Sequence, residues 1–586
     1  MTYVLGISAF YHDSAAALLK NGEIVSAVQE ERFSRIKNDS GFPVNAIEWI
    51  LSNSKISMAD INHVIFYEKP FNKFERLLET CIRFAPKGYE LFSQALPMWL
   101  KEKLFQKLEL RRRLSALPGG SEWNHSILFS EHHLSHAAAA FYSSPFESAA
   151  IITIDGVGEW ATTTISIAHG GRIERLKELR FPHSFGLLYS TITAFLGFKV
   201  NSGEYKVMGL APYGRPIYAE KIKNNLIEIK PDGSFRLRMK YFGFASRLKM
   251  YTPALAKLFG IEARHPEGPL ESVHMDIAAS LQSVTDELFL GLSRYARELT
   301  GQENLCLAGG VALNCVSTGR ILRSKIFDKL WIQPAAGDAG SALGAAQAGY
   351  YLYCKKPRVP CQDYMPYLGP CIDHDIALRQ LEQLSAKYSI IPDETIFESI
   401  ADALAKGKIV AWVQGRAEFS PRALGNRSIL ADPRVKDLKK SLNLKIKFRE
   451  SFRPFAPVIL AEEANNWFDM VESSPHMNFT VQANDGVDQI TPSVIHVDGS
   501  ARLQTVSIAN NERLYRLIHE FQNLTACPML VNTSFNVRGE PMVLSTEDAF
   551  NCFMNTGIDM LVIGNIVLDK YQQDGSKYKK YNFALD

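Results

Sequence analysis

No run of the 586 residues reaches the ~18 consecutive apolar positions that a membrane-spanning helix requires. The opening stretch, MTYVLGISAFYHDSAAALL, lacks a basic n-region and carries His12 and Asp13 where a signal peptide is purely apolar. It reads as the first strand of a mature domain. The eight cysteines contain no CxxC pair, which excludes a zinc ribbon and a thioredoxin motif. Their scatter suits reduced thiols and a cytoplasmic protein. Net charge is nearly absent too, at +3, so any positive field must come from local clustering. With 46% hydrophobic and 22% charged residues, the composition is that of a globular chain too long for a single core.

What is present is an internal repeat. Residues 3–30 read as a strand (YVLGI), a polar loop (FYHD), a second strand (SAAALLK), Asn21-Gly22 and a third strand (EIVSAVQE). Asn-Gly between strands is a strong hairpin signal, because both turn residues take positive φ. Residues 149–178 repeat the plan as AAIITID, GVGEW, ATTTISIAH, Gly170-Gly171 and RIERLKEL. Two copies of strand, loop and hairpin, each opening a lobe, predict a duplicated actin-like ATPase fold that clamps a nucleotide between its halves. Residues 70–115 between the copies read as helical and basic, with Arg111, Arg112 and Arg113 on a solvated face.

Further on, NLCLAGGVALNCVSTGRIL is a strand ending in Gly309-Gly310 and running into a helix, and LWIQPAAGDAGSALGAAQAGYYL repeats that with Asp338 at the turn. Strands opening through glycine onto helix N-termini are ready anion sites. A Pro-rich break at 356–375 reads as a linker, separating a first domain, 1–355, from a second α/β domain, 376–586.

SEHHLSHAAAAFY follows a short strand, with Ser130 in the N-cap position. His132 and His136 then share one helix face, a standard way to hold a divalent metal, although surface helices also carry such pairs. His133 points elsewhere. Asp155, at the end of the repeated first strand, and Asp338 would complete a two-His, two-Asp set suited to Fe(II), Mn(II) or Zn(II). From Arg416 to Arg453 there are eleven Lys/Arg against four Asp/Glu. Pro421, Gly425, Asn426 and Pro454 interrupt this stretch, so it is no plain amphipathic helix. Arginine forks suit a small phosphate dianion. RNA binding would want aromatic interleaving, and only Phe419, Phe448 and Phe452 are there.

The ordered set YHDSAAALL, EERFSRIK, HHLSHAAAAFY, IDGVGEW, KVMGLAPYG, GGVALN, GDAGSALGAA, GRAEFSPRALGNRSILADPR, FRESFRPFAP, DGSARLQTV and NTSFNVRGEP resembles the NodU/TobZ carbamoyltransferase family over nearly the whole chain. That family includes enzymes that carbamoylate nodulation factors and antibiotics. The resemblance implies an N-terminal domain similar to the threonylcarbamoyl-transfer protein of tRNA modification and a YrdC-like C-terminal domain. It implies that the YrdC-like domain makes carbamoyl-adenylate from carbamoyl phosphate and ATP, with Mg, and that carbamoyl then passes to a hydroxyl of a small acceptor in secondary-metabolite biosynthesis.

Carried over by position, His132, His136, Asp155 and Asp338 match iron ligands, and His12, otherwise an ordinary loop histidine beside Asp13, matches a general base. Lys37, Gly156, Lys206, Gly209, Gly309, Gly310 and Asn314 fall in nucleotide-holding motifs. Arg416, Arg422, Asn426, Lys447, Arg449, Arg502 and Arg538 fall in phosphate-binding motifs, with Lys445 an alternative to Lys447. Two competing expectations are a tRNA-modifying enzyme, which the near-neutral charge and sparse aromatics disfavour, and a non-catalytic nucleotide-binding regulator, which the density of functional side chains disfavours. A hydrogenase-maturation enzyme would carry CxxC pairs. The expected partners are carbamoyl phosphate and a small acceptor, with no nucleic acid and no membrane. The acceptor and the oligomeric state are not legible.

Overall fold

The computed structural model describes residues 1–99 and 105–575 and holds two compact units: residues 1–30 with 39–364, and residues 31–38 with 365 onward. In the first unit, β1 (Tyr3–Ser8), β2 (Ala15–Lys20), β3 (Glu23–Gln29), β4 (His63–Phe66) and β5 (Ile127–Phe129) form a sheet of order β3-β2-β1-β4-β5. A second sheet, of β6 (Ser148–Ile154), β7 (Ala161–His169), β8 (Arg172–Arg180), β9 (Asn304–Ala308) and β10 (Lys329–Ile332), has the order β8-β7-β6-β9-β10. The pairing is the same in both. The first strand runs antiparallel to the second, the second to the third, and the first parallel to the fourth and the fourth to the fifth. This is the duplicated, mixed-sheet actin-like ATPase topology that the repeat predicts.

Local chemistry explains the hairpins. Asn21 and Gly22 have φ of 53° and 93°, as the β2–β3 turn requires. In the copy only Gly170 of the Gly170-Gly171 pair is left-handed. β2 is apolar and buried from Ala15 to Leu19, which is the pattern of a strand covered on both faces. β8, the edge of its sheet, is charged and largely uncovered, which blunts edge-to-edge pairing.

Two helices set the functional geometry: α1 (His132–Tyr142) and the wholly buried α2 (Asp338–Ala348). The small side chains of DAGSALGAAQA let α2 approach its neighbours at backbone distance. A Cβ on Gly344 would lie 1.8 Å from Ser135 O of α1, and one on β1's Gly6 would lie 2.0 Å from Ala342 O of α2.

The second unit is built on an eight-stranded mixed sheet. Its strands are β11 (Ser389–Ile390), β12 (Val410–Val413), β13 (Arg427–Ala431), β14 (Ala456–Leu460), β15 (Gln504–Val506), β16 (Met529–Ser534), β17 (Met560–Ile563) and β18 (Ile566–Asp569). Their order is β11-β18-β17-β12-β13-β16-β14-β15. Trp412 of β12 is fully buried, and the helices Asp393–Ala405 and Ile508–Thr525 pack on each other.

One part of the expected domain layout is corrected. The division falls near 364, inside the expected linker, but Glu31–Asn38, which cover EERFSRIK from its second residue on, belong to the second unit. Arg32 donates to Ser420 O at 3.0 Å, and Arg35 donates to Met542 O at 2.6 Å and Pro541 O at 3.0 Å. Guanidinium groups satisfying loop carbonyls so far along the chain cannot be read from local pattern. The helical expectation for 70–115 holds over Pro70–Phe84, Tyr89–Trp99 and Gln106–Ser115; part of that stretch, 100–104, lies outside the described residues. Arg112 and Arg113 pair with Glu109 on an exposed face, whereas Arg111 lies over the Trp123 ring.

Candidate metal centre and anion site

His132 and His136 lie one turn apart on α1, with Nε2 atoms 3.2 Å apart. Asp155 follows β6, and its Oδ2 is 2.8 Å from His132 Nε2 and 3.5 Å from His136 Nε2. Asp338 opens α2, with Oδ1 3.5 Å from His136 Nε2 and 3.7 Å from His132 Nε2. One ligand atom from each of the four falls within 4.8 Å of the others, the one such group found among the described residues. Both Asp338 oxygens are buried without a hydrogen-bond partner, a costly arrangement unless a cation satisfies them. Two imidazoles and two carboxylates with orphaned oxygens therefore fit a divalent ion of the Fe(II), Mn(II) or Zn(II) class.

The α1 N-terminus corrects the expected cap. The N-cap residue is Glu131, whose side chain makes no capping bond, and Ser130 Oγ donates instead to Glu131 O. The free His132 N–H is taken by Glu159, which accepts it with both oxygens at 3.0 and 3.2 Å and also accepts Lys69 N–H at 2.8 Å. A carboxylate there suits the positive end of the helix dipole. Glu159 sits in GVGEW, 27 residues downstream, so no local capping signal marks it. His133 turns away as expected, bonding Thr153 Oγ1 at 2.6 Å.

Burial lowers the His136 imidazole, but Asp155 and Asp338 outweigh it and raise it to about 9. Burial raises the Asp155 carboxyl, and hydrogen bonds from His132 and His136 outweigh that, holding it well below its usual range. His12 lies at the rim, with Nε2 3.7 Å from Asp338 Oδ2 and Nδ1 3.0 Å from Asp13 Oδ2. Burial lowers it, while Asp338 and Asp13 raise it further, to about 9. A cation bound to the aspartates would cancel much of that field and return His12 toward neutrality.

Next to the cluster, Gly310 N–H donates to Asp155 Oδ1 at 3.1 Å. Gly309 turns the chain with φ of 91°, and a Cβ there would lie 2.2 Å from Ile154 O. At Gly156 a Cβ would meet nothing within 4 Å. Asn314 caps the helix Cys315–Ser324 and exchanges hydrogen bonds with Gln282. Lys206 and Gly209 lie on the helix Glu204–Leu210, Lys206 almost fully buried with Nζ over the Phe198 ring. Lys37, the remaining residue of the expected nucleotide set, belongs to the second unit, with Nζ 3.8 Å from Glu31 Oε1.

In the second unit, Lys447 is buried and Lys445 is exposed. Lys447 Nζ donates to Ser534 O and reaches Asn536 O and Oδ1 at 3.0 Å, both residues belonging to NTSFN. Burial pushes this ammonium well below its ordinary value, and the Arg449 charge lowers it further. Arg449 Nε donates to Asn443 Oδ1 at 2.7 Å. Arg416 donates to Leu368 O and Gly369 O, and Asn426 Nδ2 to Arg416 O at 2.8 Å. Arg422, Arg502 and Arg538 are half-buried, in the 416–427 loop, at the end of the strand Ser500–Arg502 and beyond β16.

Two residues here were not anticipated. Glu418 Oε1 accepts the backbone N–H groups of Leu424, Asn426 and Arg427, which shapes the SPRALGNR loop. Asn511, with non-helical φ of −158°, bonds Asn426 Oδ1 at 3.0 Å. A Glu inside a basic run and a lone Asn carry no local signal.

Residues 3–347 match the family described as Carbamoyltransferase N-terminus, and residues 401–570 the family described as Carbamoyltransferase C-terminus. The chain belongs to the carbamoyltransferase family. This carbamoyltransferase is 49% identical to an uncharacterized protein of Synechocystis sp., over 98% of this chain and 97% of that one. It is 38% identical to Nodulation protein NolNO of Sinorhizobium fredii, over 99% of this chain and 82% of that one. It is 39% identical to Nodulation protein NolO of Bradyrhizobium diazoefficiens, over 75% and 78%. Among the described residues of the carbamoyltransferase, no helix is long and apolar enough to cross a membrane.

Proposed function

We propose that this carbamoyltransferase is ATP-dependent and carbamoylates a hydroxyl of a small acceptor in two steps. In the second, YrdC-like unit, carbamoyl phosphate loses phosphate to water, and the resulting carbamate oxygen attacks the α-phosphorus of ATP, displacing pyrophosphate and leaving carbamoyl-adenylate. Buried Lys447 and the arginines of the 416–453 and 498–538 motifs neutralise the phosphates, with Mg on the nucleotide. Lys447 rather than Lys445 is assigned to phosphate because its ammonium is the buried one, and a dianion would restore the charge that burial disfavours.

In the first unit, the acceptor oxygen attacks the carbamoyl carbon, AMP leaves, and the acceptor proton goes to His12. His132, His136, Asp155 and Asp338 would hold a divalent ion, iron by resemblance, and that ion would supply Lewis-acid chemistry next to His12. Lys206, Gly156, Gly209, Gly309, Gly310 and Asn314 hold the nucleotide part. The observation that carries this proposal is the convergence of two histidines and two aspartates from three distant segments, with His12 at their rim, in a chain of the carbamoyltransferase family.

The test is product analysis with purified protein, ATP, carbamoyl phosphate and Fe(II), with and without hydroxylated acceptors. AMP and pyrophosphate formation that depends on carbamoyl phosphate supports the first step, and an acceptor carbamate ester supports the second. A protein that forms no AMP under any of these conditions refutes the scheme.

A further inference from the structure

His132 and His136 both direct Nε2 into the cluster, so the Nδ1 atoms behind them decide how each ring is held. For His136 the partner is Ser341, whose Oγ lies 3.1 Å from Nδ1. Ser341 stands one turn after Asp338 on α2, so a single buried helix supplies one ligand of the group and the brace for another. For His132, Nδ1 is buried and makes no hydrogen bond. Facing it at 3.9 Å is Oε2 of Glu68, a wholly buried carboxylate that follows β4.

Glu68 Oε2 is shared with Lys73 Nζ at 2.7 Å. Lys73 is itself buried, on the helix Pro70–Phe84, and lies under the Tyr11 ring at 4.6 Å. A carboxylate deep in a protein interior is expensive and is kept where a cation or a donor uses it. Here the claimants include the Lys73 ammonium, the neighbouring Tyr67 hydroxyl and the His132 Nδ1–H.

We propose that Glu68 and Ser341 are the positioning residues of the metal centre: Glu68 accepts Nδ1–H of His132, Ser341 accepts Nδ1–H of His136, and both rings thereby present basic Nε2 lone pairs to one ion. Closing the 3.9 Å gap to hydrogen-bond length takes about 1 Å of side-chain movement. Lys73 governs how much of the Glu68 charge reaches His132. Partners behind metal-bound imidazoles fix the tautomer and raise ligand basicity, and losing one typically weakens metal affinity by about 10–100-fold. Glu68 lies outside the motifs quoted above and Ser341 sits inside GDAGSALGAA without a signal of its own, and both roles rest on the assignment of the four-residue cluster as a metal site.

The experiment measures Co(II) affinity of the full-length protein by chelator competition, together with the Co(II) visible spectrum and the unfolding midpoint of the metal-free protein. The variants are Ser341→Ala and the double variant Glu68→Gln/Lys73→Met, which removes both members of the buried pair and leaves no unpaired charge. The expected result is one Co(II) site in the wild type, affinity reduced about 10–100-fold in each variant, a shifted spectrum, and metal-free midpoints close to wild type. Wild-type affinity and spectrum in both variants would overturn the positioning roles while leaving the metal site standing. Failure of the wild type to bind Co(II) would instead remove the metal site and these roles with it.

Discussion

Raising pH from 7 to 9 should tighten metal binding by at least about a hundredfold, because His136 must give up a proton to become a ligand. Burial lowers its imidazole, but Asp155 and Asp338 raise it to about 9 in the protein without metal. Only the neutral ring coordinates. At pH 7 the ring is therefore protonated, and that proton must be displaced before the metal can bind. His12, also raised to about 9, gives up part of its proton when the cation cancels the Asp338 field, so the logarithm of the affinity climbs by about one to two per pH unit and levels off near pH 9. Calorimetry in buffers of different ionisation enthalpy counts the proton directly, and chelator competition across the pH range gives the slope. His133 adds nothing to the slope, since burial foremost holds it well below its ordinary value and it is neutral throughout.

Folding without metal has the opposite sign. A group raised from 6.5 to about 9 stabilises the fold fully below pH 6.5 and loses that contribution as pH rises to 9. The metal-free unfolding midpoint should fall across that window. A flat affinity between pH 7 and 9, with no proton released on binding, would refute the assignment of His136 as a ligand made available by deprotonation.

Three other perturbations are informative. Gly344→Ala places a Cβ 1.8 Å from Ser135 O, so α1 and α2 must part; denaturant titration should show a loss of about 1–3 kcal/mol, with weaker Co(II) binding because the two helices carry three of the four ligands. Glu418→Gln removes the charge that accepts three backbone N–H groups, and about 1–3 kcal/mol of stability should go with it by the same titration. Lys447→Met should cut carbamoyl-phosphate-dependent AMP formation by about a hundredfold or more while leaving Co(II) affinity intact, whereas Lys445→Met, at the exposed neighbour, should leave the AMP rate unchanged.

Some features of this protein were decided by neighbours in the chain. The positive φ of Asn21 and Gly22, the apolar run of β2 and the four-residue spacing of His132 and His136 are local facts, set by turn sterics, burial and the pitch of a helix. The repeated strand plan likewise carried the duplicated sheets, because each copy encodes the same hairpin and first strand. Motif order was enough to indicate the family.

Other features exist only once the chain is folded. Asp338 is separated from His136 by 202 residues (338 − 136), and they meet because the small residues of α2 let it lie against α1 at backbone distance. Glu159 rather than Ser130 receives the His132 N–H, Glu68 stands behind the ring, and Glu31–Asn38 join the second unit through Arg32 and Arg35. The Glu159, Arg32 and Arg35 pairings satisfy an orphaned backbone group with a partner brought from elsewhere in the chain. Sequence periodicity shows that such groups need partners. Which partner arrives is settled by strand order and close helix packing, and neither is encoded in any short stretch of residues.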